Sequence, residues 1–393
     1  MARKENIIPI GPFHPLLEEP EFFKFYVEGE KVVDADVRMG YNHRGIEKLA
    51  EAKTWEQDVF LVERICGICS TSHPFAFVQA AEDVSGIEVP ERAKYIRTIV
   101  GELERIHSHL LWLGLAGHFI GYNTVFMWAW KNREPVNDMF EIISGNRQHY
   151  GMFKVGGVRR DISGEQAAQL FKILDEVEKF AVMITKAVID DPVIQARTKG
   201  VGILKREDAI DLCVVGPTAR ASNISIDVRK DHPYAAYDKV DWQISVCEGG
   251  DVFAKAVVRL LEIIESIKII RSALKNMPQG PIDAEIREVG VGEGIGQHEA
   301  PRGEVIHYVR SNGSNYPERH KIRAPSYMNV PSFKKTVIGQ YISDAALITA
   351  AVDPCYCCTE RMAVVDPDTD KVIADGAELI RLCQEKTERI RNR

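Results

Sequence analysis

The sequence lacks several features that mark specialised classes of protein. Its 393 residues contain eight cysteines, too few for a disulfide scaffold. No tract rich in glycine, serine or proline and no low-complexity segment divides it. Its composition, 45% hydrophobic and 27% charged, is that of an ordinary soluble protein. We therefore expect one continuous globular unit.

An excess of positive charge is also missing. Lys and Arg number 50 against 57 Asp and Glu, so the net charge of -7 gives nucleic acid no electrostatic reason to bind. No nucleic-acid partner is expected. The first residues lead through a short apolar stretch into Gly11 and Pro12, without the apolar core and cleavage site of a secretory signal. The sequence thus predicts a cytoplasmic protein.

A membrane-spanning run is absent as well. The most apolar stretch, residues 110–130, has the length of about 20 residues that a spanning helix needs. His118, Asn123 and glycines at positions 114, 117 and 121 interrupt it. We interpret it as a buried core helix followed by a turn, so any attachment to a membrane must come through partner subunits.

Two Cys-x-x-Cys pairs stand out: Cys66 with Cys69, and Cys355 with Cys358. Two intervening residues let both sulfurs of a pair face one ion, so the two pairs make a four-thiolate site once the fold joins them. A structural zinc is one candidate, but a zinc ribbon closes a loop of about 12 to 20 residues, and here residues 70 to 354 intervene. Soft thiolates also bind nickel, iron and copper, so a buried redox metal is the other candidate.

Both pairs lie in longer stretches that carry a family resemblance. Residues 63–73 (ERICGICSTSH) and 353–361 (DPCYCCTER) resemble the two metal-binding signatures of the large subunit of nickel-iron hydrogenases. The Thr-x-Arg ending, where uptake hydrogenases have a histidine, resembles the membrane-bound, energy-converting (group 4) enzymes. These are relatives of the 49-kDa subunit of respiratory complex I. The similarity extends from Gly11 to Arg361.

The resemblance implies a nickel-iron centre and a reaction, the reversible reduction of protons to dihydrogen. In the family pattern Cys66 and Cys355 are terminal nickel ligands, and Cys69 and Cys358 bridge nickel to an iron that carries carbon monoxide and cyanide. A terminal thiolate or Arg302 is expected to take up a proton when hydrogen is split heterolytically.

Other residues gain expected roles only through this resemblance. Arg302 is expected over the metal pair, while Pro325 and Ser326 line the pocket of the diatomic ligands of iron. His73 completes the first signature and is expected to bind the cofactor.

Two acidic positions need separate treatment. The pair Glu18 and Glu19, in isolation, is typical of a solvated loop; by resemblance, a glutamate of this loop relays protons to the metals, and Glu19 is assigned that role. The glutamate that corresponds to Glu47 helps to bind magnesium in uptake relatives. Because this chain ends its signature with Arg361, an ion pair between Glu47 and Arg361 is as well founded as a second metal, and no magnesium is assigned.

Electrons must enter through partners. Apart from the four ligands the sequence offers no cysteine cluster for an iron-sulfur relay. We expect an iron-sulfur small subunit, with complex I-like soluble and membrane subunits that hold the chain at the cytoplasmic face of the cell membrane and translocate ions. The electron donor is ferredoxin or a dehydrogenase that acts on carbon monoxide or formate.

Two rival functions remain open. A quinone-reducing subunit of a complex I-like dehydrogenase would not need the four cysteines. A zinc-stapled scaffold without catalysis would keep them. The metal content separates the second rival from a hydrogenase.

Periodicity predicts a fold that is mainly α with an α+β periphery. Residues 22–40 alternate around Gly29, which predicts a hairpin. Ser163 and Gln166 form a capping box for a long helix. A helical stripe from Ala93 contains His107 but not His109, and both are expected outside the site. Two further stripes predict a central antiparallel bundle with small mixed or antiparallel sheets, as in the hydrogenase large subunit: Leu170, Leu174, Val177, Ala181, Ile184, Val188, and Phe253, Val257, Leu260, Ile264, Ile267.

The organisation that follows is one domain and a tail. Residues 1–361 comprise a small N-terminal sheet (1–45), a helical bundle (46–280) and a strand-rich segment with the second cysteine pair (281–361). Residues 362–393 form a C-terminal extension, either a structural helix or a maturation peptide. The family resemblance favours a maturation peptide. A maturation protease is then expected to cleave the chain between Arg361 and Met362 after nickel insertion.

Overall fold

Alternating apolar side chains fold the N-terminal residues into a sheet. The structure is a computed structural model that describes residues 6–14, 17, 19–285, 288–359, 363–366, 369 and 371–392. Three strands pair antiparallel in chain order: β1 (Asn6–Ile10), β2 (Phe22–Glu28) and β3 (Lys31–Arg38). Phe23, Phe25 and Val27 on β2 are buried. The hairpin predicted around Gly29, whose φ is 62°, is confirmed.

The first cysteine pair lies between two helices. Three helices follow the sheet: α1 (Ile46–Ala50), α2 (Trp55–Glu63) and α3 (Ser72–Ser85). A capping box of Thr54 and Gln57 starts α2, since each side chain accepts the backbone N–H of the other residue. Helix α2 ends just before the first signature cysteine and α3 begins just after the second. The two thiols therefore sit on a short segment that helices hold at both ends.

Four long helices make the centre of the chain. The elements from residue 91 onward are α4 (Glu91–Phe119), α5 (Asn123–Ser144), β4 (Phe153–Lys154), β5 (Gly157–Val158), α6 (Gly164–Asp190), α7 (Pro192–Thr198), α8 (Arg206–Asp211), α9 (Gly216–Arg220), α10 (Val228–Asp231), a 3-10 helix (Tyr237–Lys239) and α11 (Val252–Asn276). Helices α4 and α6 both pack against α5 and α11. The capping box of Ser163 and Gln166 starts α6, and the predicted stripe of α6 is buried. The antiparallel sense of this bundle stays a prediction.

Helix α11 differs from the amphipathic helix that its stripe predicts. Phe253, Val257 and Ile264 of the stripe are only half-buried. The apolar stripe predicts a polar side of α11 that contains Lys255 and Arg259. Both of these side chains are fully buried. The reason is that α11 runs through the centre of the molecule, so its charged side chains meet partners from other elements instead of water.

His109 shows the same effect. His107 and His109 are both fully buried, although the stripe includes only His107. His109 Nε2 lies 2.8 Å from a carboxylate oxygen of Glu262 on α11. The prediction that His109 lies off the buried face of α4 is therefore wrong, because a hydrogen-bonding partner about 150 residues away in the sequence lies inside the molecule.

A buried ionic network holds α4, α9, α10 and α11 together. Arg220 contacts Glu262 and Glu299 at 2.8 Å each, and Arg229 contacts Glu102 at 2.9 Å. All five side chains are at most 3% exposed. Buried charges are tolerated only when they are paired and hydrogen-bonded in this way, so the network specifies how the helices dock.

A second sheet packs against α3. Three antiparallel strands follow the helices: β6 (Val291–Ala300), β7 (Gly303–Asn312) and β8 (Arg319–Arg323). Gly296 lets β6 approach α3 closely, since a Cβ atom at that position would lie 1.9 Å from the carbonyl oxygen of Ala76. The segment predicted as strand-rich then turns helical: α12 (Pro325–Asn329), α13 (Ser332–Val337), α14 (Ile342–Ala351) and a 3-10 helix (Tyr356–Cys358). The last elements are β9 (Ala363–Val365), β10 (Val372–Asp375) and α15 (Gly376–Arg391).

The predicted class, mainly helical with small antiparallel sheets, is confirmed, and every strand pair in the described ranges is antiparallel. The apolar residues 110–130 end α4, turn at Gly121 and begin α5. Within the described part of the chain, no helix combines the length and apolar character needed to cross a bilayer.

Candidate metal centre

The fold brings the two cysteine pairs into one buried pocket. Cys355 Sγ lies 3.1 Å from Cys66 Sγ and 2.9 Å from Cys358 Sγ. The sulfurs of Cys66, Cys69 and Cys358 lie within 4.8 Å of one another. All four thiols are free and buried. Two motifs almost 290 residues apart thus present four sulfur atoms to one point.

The electrostatics of the pocket favour a thiolate at Cys66. Hydrogen bonds from the other three thiols, above all from Cys355, lower the pKa of Cys66 well below that of an ordinary cysteine. Hydrogen bonds first with Cys358 and then with Cys66 raise the pKa of Cys355 well above it. The pocket by itself therefore stabilises one thiolate at the expense of the others. A metal ion bound here would stabilise further thiolates, and four soft sulfur donors fit nickel, iron or zinc.

Arg44 joins the two motifs, a role that the sequence did not reveal. Its guanidinium donates to the backbone carbonyls of Arg64 at 3.0 Å and Ile65 at 2.8 Å, and to that of Cys357 at 3.4 Å. Neither the residue type nor its position before Gly45 signals these contacts, because backbone carbonyl acceptors leave no trace in the sequence. Arg44 is the cross-brace that holds one cysteine loop against the other.

Arg302 lies at the thiols, as the resemblance implies. Its Nη1 lies 3.7 Å from Cys69 Sγ and 3.1 Å from the hydroxyl of Ser108. Asp353 holds the other side of the guanidinium, since its carbonyl accepts from Nε at 2.7 Å and its carboxylate from Nη2 at 2.6 Å. Burial favours the neutral form, but Asp353 and the cysteines outweigh it and raise the pKa of Arg302 well above its usual value. The side chain is a permanent cation.

Asp353, in the second signature, positions the guanidinium of Arg302. Its φ of 57° lies in the left-handed region, which a residue other than glycine seldom adopts. That backbone turn lets both its carbonyl and its carboxylate face Arg302. The strain is stored two residues before Cys355, at the candidate site.

Ser326 and Pro325 support the second cysteine pair from α12. The Ser326 hydroxyl accepts the backbone N–H of Cys355 at 2.9 Å. Pro325 occupies the first turn of α12, where its fixed φ suits the helix start, and both residues are buried. Helix α12 packs against the 3-10 helix that carries Cys358. Both residues therefore adjoin the pocket, and the contact to Cys355 is made by the serine.

Glu19 reaches the pocket from the N-terminal loop. One carboxylate oxygen accepts the N–H of Cys357 at 2.6 Å, and the other lies 3.9 Å from Cys355 Sγ. Burial, with the negative charge of Cys66 as a second cause, raises the pKa of Glu19. The side chain is half-buried, so it connects the thiols with the exterior. Glu18 lies outside the described residues.

His73 touches the fourth cysteine. Its Nε2 lies 3.4 Å from Cys358 Sγ, and its Nδ1 lies 3.0 Å from His307 Nε2. Burial lowers the pKa of His73 to about 4. The ring is therefore neutral and acts as a hydrogen-bonding partner of a cysteine, with no direct contact to a metal required.

Glu104 is a buried carboxylate that sequence reasoning missed. It accepts the N–H of Thr71 at 2.5 Å and the hydroxyl proton of Ser72, at the start of α3. Complete burial raises the pKa of Glu104 to about 7. Glu104 is not part of the stripe predicted on α4, and the sequence gives no signal of its role because the groups it binds come from another element.

Glu47, on α1, binds residues of β8. It accepts from the Lys321 ammonium at 2.7 Å and from the backbone N–H of Ile322 at 3.0 Å. Arg361 lies outside the described residues, so the choice between an ion pair and magnesium stays open as a prediction. The cations of β8 are partners that the sequence did not suggest.

Comparison with known families separates the chain into two matched parts. Residues 44–115, with the first cysteine pair, match the family described as nickel-dependent hydrogenase. Residues 120–291 and 286–361, with the second pair, match the family described as the 49-kDa subunit of the respiratory-chain NADH dehydrogenase. The two matches meet at the end of α4.

Whole-chain relatives agree with this assignment. The membrane-bound hydrogenase subunit alpha of Pyrococcus furiosus is 42% identical over 400 residues, which cover 98% of this chain and 93% of the relative. The carbon monoxide-induced hydrogenase of Rhodospirillum rubrum is 40% identical over 356 residues, which cover 90% and 99%. A chain of the membrane-bound sulfane sulfur reductase, an archaeal respiratory membrane complex, is 30% identical with a TM-score of 0.87 and is aligned over 100% of its length and 92% of this chain. This chain belongs to the family of the large subunits of membrane-bound, energy-converting nickel-iron hydrogenases, which are relatives of the 49-kDa subunit of complex I.

Proposed function

We propose that the chain is the catalytic subunit of a nickel-iron hydrogenase that reversibly reduces protons to dihydrogen. The electrons come from a ferredoxin-type donor, and membrane partner subunits couple the reaction to ion translocation. The observation that carries the proposal is the meeting of four buried thiols beside a permanent guanidinium cation. A structural zinc would need the thiols but not the cation.

The cysteines have distinct proposed roles. Cys66 and Cys355 would hold nickel, and Cys69 and Cys358 would hold both nickel and an iron that carries carbon monoxide and cyanide. When bound, the metal pair supplies a redox-active Lewis acid at which the bond of dihydrogen is broken or formed. Ser326 fixes the backbone of Cys355, and Asp353 fixes Arg302. These contacts keep the pocket rigid and dry.

Proton handling falls to Glu19 in this proposal. It lies beside Cys355, its pKa is raised, and its partly exposed carboxyl group can pass a proton outward. The sequence-based expectation is that Arg302 can take up the proton. We do not assign it this role, because a charged guanidinium has no lone pair that can accept a proton. Its proposed role is electrostatic, namely to stabilise negative charge at the thiolates.

The test is the metal content of the complex purified from its own source. Nickel and iron together with infrared bands of iron-bound carbon monoxide and cyanide support the proposal. Zinc at the four cysteines, without those bands, refutes it and leaves the zinc-stapled scaffold.

A quinone-reducing subunit of a complex I-like dehydrogenase is the second candidate, favoured by the match of residues 120–361 to the 49-kDa family. Cys66→Ser separates the two functions. A hydrogenase loses nickel and hydrogen evolution in this variant, whereas a quinone reductase that makes no use of the thiolates keeps its rate.

The proposed partners follow from what the chain must receive. An iron-sulfur small subunit docks near the metal pocket and delivers electrons, because a transfer over long distance needs cluster relays. Complex I-like soluble and membrane subunits lie beyond it and hold the chain at the cytoplasmic face. Rapid electron exchange between ferredoxin and the isolated chain would contradict this proposal.

The C-terminal tail is proposed to be a maturation peptide. The family match ends at residue 361, and residues 362–393 follow it. An extension keeps the second cysteine pair open to nickel insertion, and a maturation protease then cuts between Arg361 and Met362, which lie outside the described residues. The intact mass of the nickel-loaded subunit decides: an active chain that still ends at Arg393 makes the tail permanent structure.

A further inference from the structure

A chain of buried hydrogen bonds leads away from the pocket at Cys358. It starts with the contact of His73 Nε2 to Cys358 Sγ at 3.4 Å. His73 Nδ1 lies 3.0 Å from His307 Nε2, and His307 Nδ1 lies 2.9 Å from His320 Nε2. His320 Nδ1 lies 3.0 Å from a carboxylate oxygen of Asp58. The four side chains beyond the cysteine come from four elements, α3, β7, β8 and α2.

The surroundings of this chain are dry and tightly packed. His73 is 1% exposed, and His307, His320 and Asp58 are fully buried. Phe77 stacks on the His320 ring, with centroids 4.9 Å apart and an angle of 29° between the planes. Hydrogen bonds in such a water-excluded environment are stronger than in water, and linked bonds reinforce one another.

For neutral rings, the geometry also fixes which nitrogen of each histidine carries the proton. Two ring nitrogens that face each other at 2.9–3.0 Å share one proton, since two N–H groups cannot point at each other. A carboxylate only accepts, so Asp58 requires a proton on Nδ1 of His320. Nε2 of His320 then accepts from His307 Nδ1, and Nε2 of His307 accepts from His73 Nδ1. While Cys358 carries its thiol proton, Nε2 of His73 is left to accept it.

We propose that Asp58, His320 and His307 are positioning residues that act through His73 on Cys358. They fix the orientation of the His73 ring and select which of its nitrogens faces the sulfur. The inference deepens the proposed hydrogenase function and rests on it for the identity of the metals. Partners of this kind orient the groups around a metal, and their loss typically lowers metal affinity or activity about 10- to 100-fold.

The chain singles out one sulfur. Cys66 and Cys355 lie next to Glu19, Cys69 lies next to Arg302, and Cys358 is the cysteine that His73 touches. Each pole of the pocket therefore has its own polar neighbour. The histidine chain tunes the electron density on Cys358 independently of Glu19 and Arg302.

The first test uses the full chain prepared without metal, with ¹⁵N-labelled histidine rings assigned by replacing each ring in turn. We expect His73, His307 and His320 to carry their protons on Nδ1, the nitrogen less favoured for histidine in water. Protons on Nε2 of these rings would overturn the proposal. Because no metal is involved, this outcome is independent of whether the protein is a hydrogenase.

The second test cuts the chain at its far end. His320→Phe keeps the ring that packs on Phe77 but removes both nitrogens, and Asp58→Asn removes the charge that orders the chain. Both variants should change the ring signals of His73, which neither residue touches. His298→Phe is the matched control, since His298 is equally buried on the same sheet but bonds to Tyr234 at 2.8 Å.

The same variants have a spectroscopic readout in the metal-loaded complex. The infrared bands of the diatomic iron ligands should shift in His320→Phe and Asp58→Asn and stay in place in His298→Phe, with activity about 10- to 100-fold lower in the first two. Unchanged infrared bands and unchanged His73 ring signals in both His320→Phe and Asp58→Asn would refute the proposal. If one variant does not fold, the other variant and the unmutated chain still decide.

Discussion

The burial of Glu104 predicts a measurable pH dependence of stability. Its pKa is raised to about 7 in the folded protein, against a usual value of 4.5. The folded state therefore holds the proton more tightly than the unfolded state, so stability is greatest below the unfolded pKa and falls as the pH rises through 7. The difference of 2.5 pKa units, at 1.36 kcal/mol each, amounts to about 3 kcal/mol. Glu104→Gln, which mimics the protonated acid, should remove this loss.

The assay is urea denaturation of the full chain, followed by tryptophan fluorescence, at pH 4.5 and at pH 7.5. Relative to the unmutated chain, Glu104→Gln should be near neutral at pH 4.5 and more stable by about 3 kcal/mol at pH 7.5. Glu56→Gln on α2 is the control, because the Glu56 side chain is 74% exposed and makes a surface ion pair. If Glu104→Gln keeps the pH dependence of the unmutated chain, the reasoning from burial fails.

Three further predictions concern the pocket. Glu19→Gln should keep the metals, since the amide oxygen can still accept the N–H of Cys357, but it should lower hydrogen turnover about 10²- to 10⁴-fold. Glu18→Gln should have a milder effect. Equal activities of the two variants in a hydrogen-evolution assay would contradict the role of Glu19. Arg302→Lys keeps the positive charge but loses the forked guanidinium that binds Asp353. Activity should therefore fall about 10- to 100-fold at unchanged nickel content. Full activity of this variant would contradict the proposal that Asp353 positions Arg302. Arg44→Ala should lower the nickel content itself, measured by elemental analysis, because it releases one cysteine loop from the other.

Local signals in the sequence predicted the local structure well. The turn at Gly29 and the capping box of Ser163 and Gln166 are short-range features, and both are confirmed. The stripe from Leu170 to Val188 is buried because α6 has one face toward the core. Each of these signals depends on residues within one or two turns of each other.

The pattern failed where charges find distant partners. Periodicity treats Lys255 and Glu262 of α11 as a polar face, and it places His109 outside. In the structure Glu262 meets both His109 and Arg220, and all are buried. A periodicity argument assumes that water surrounds a polar side chain, and it cannot detect a hydrogen bond or an ion pair between residues far apart in the sequence.

The candidate site divides in the same way. Its cysteines and Arg302 stand in recognisable motifs, and the structure places them together. Arg44, Glu104 and the carboxylate of Asp353 act through backbone groups or through elements far away in sequence. Contacts of that kind follow from the fold, so no motif announces them.

The cross-brace at Arg44 has a consequence for the synthesis of the protein on the ribosome. Translation proceeds at about 5–20 residues per second, so the ribosome finishes the first cysteine pair about 15–60 s before the second. During that interval the carbonyl of Cys357, which accepts from Arg44 in the folded chain, does not yet exist. The first pair of thiols is therefore made many seconds before the second pair can join it. Synthesis in air, where thiols oxidise, should therefore damage the first pair more than the second.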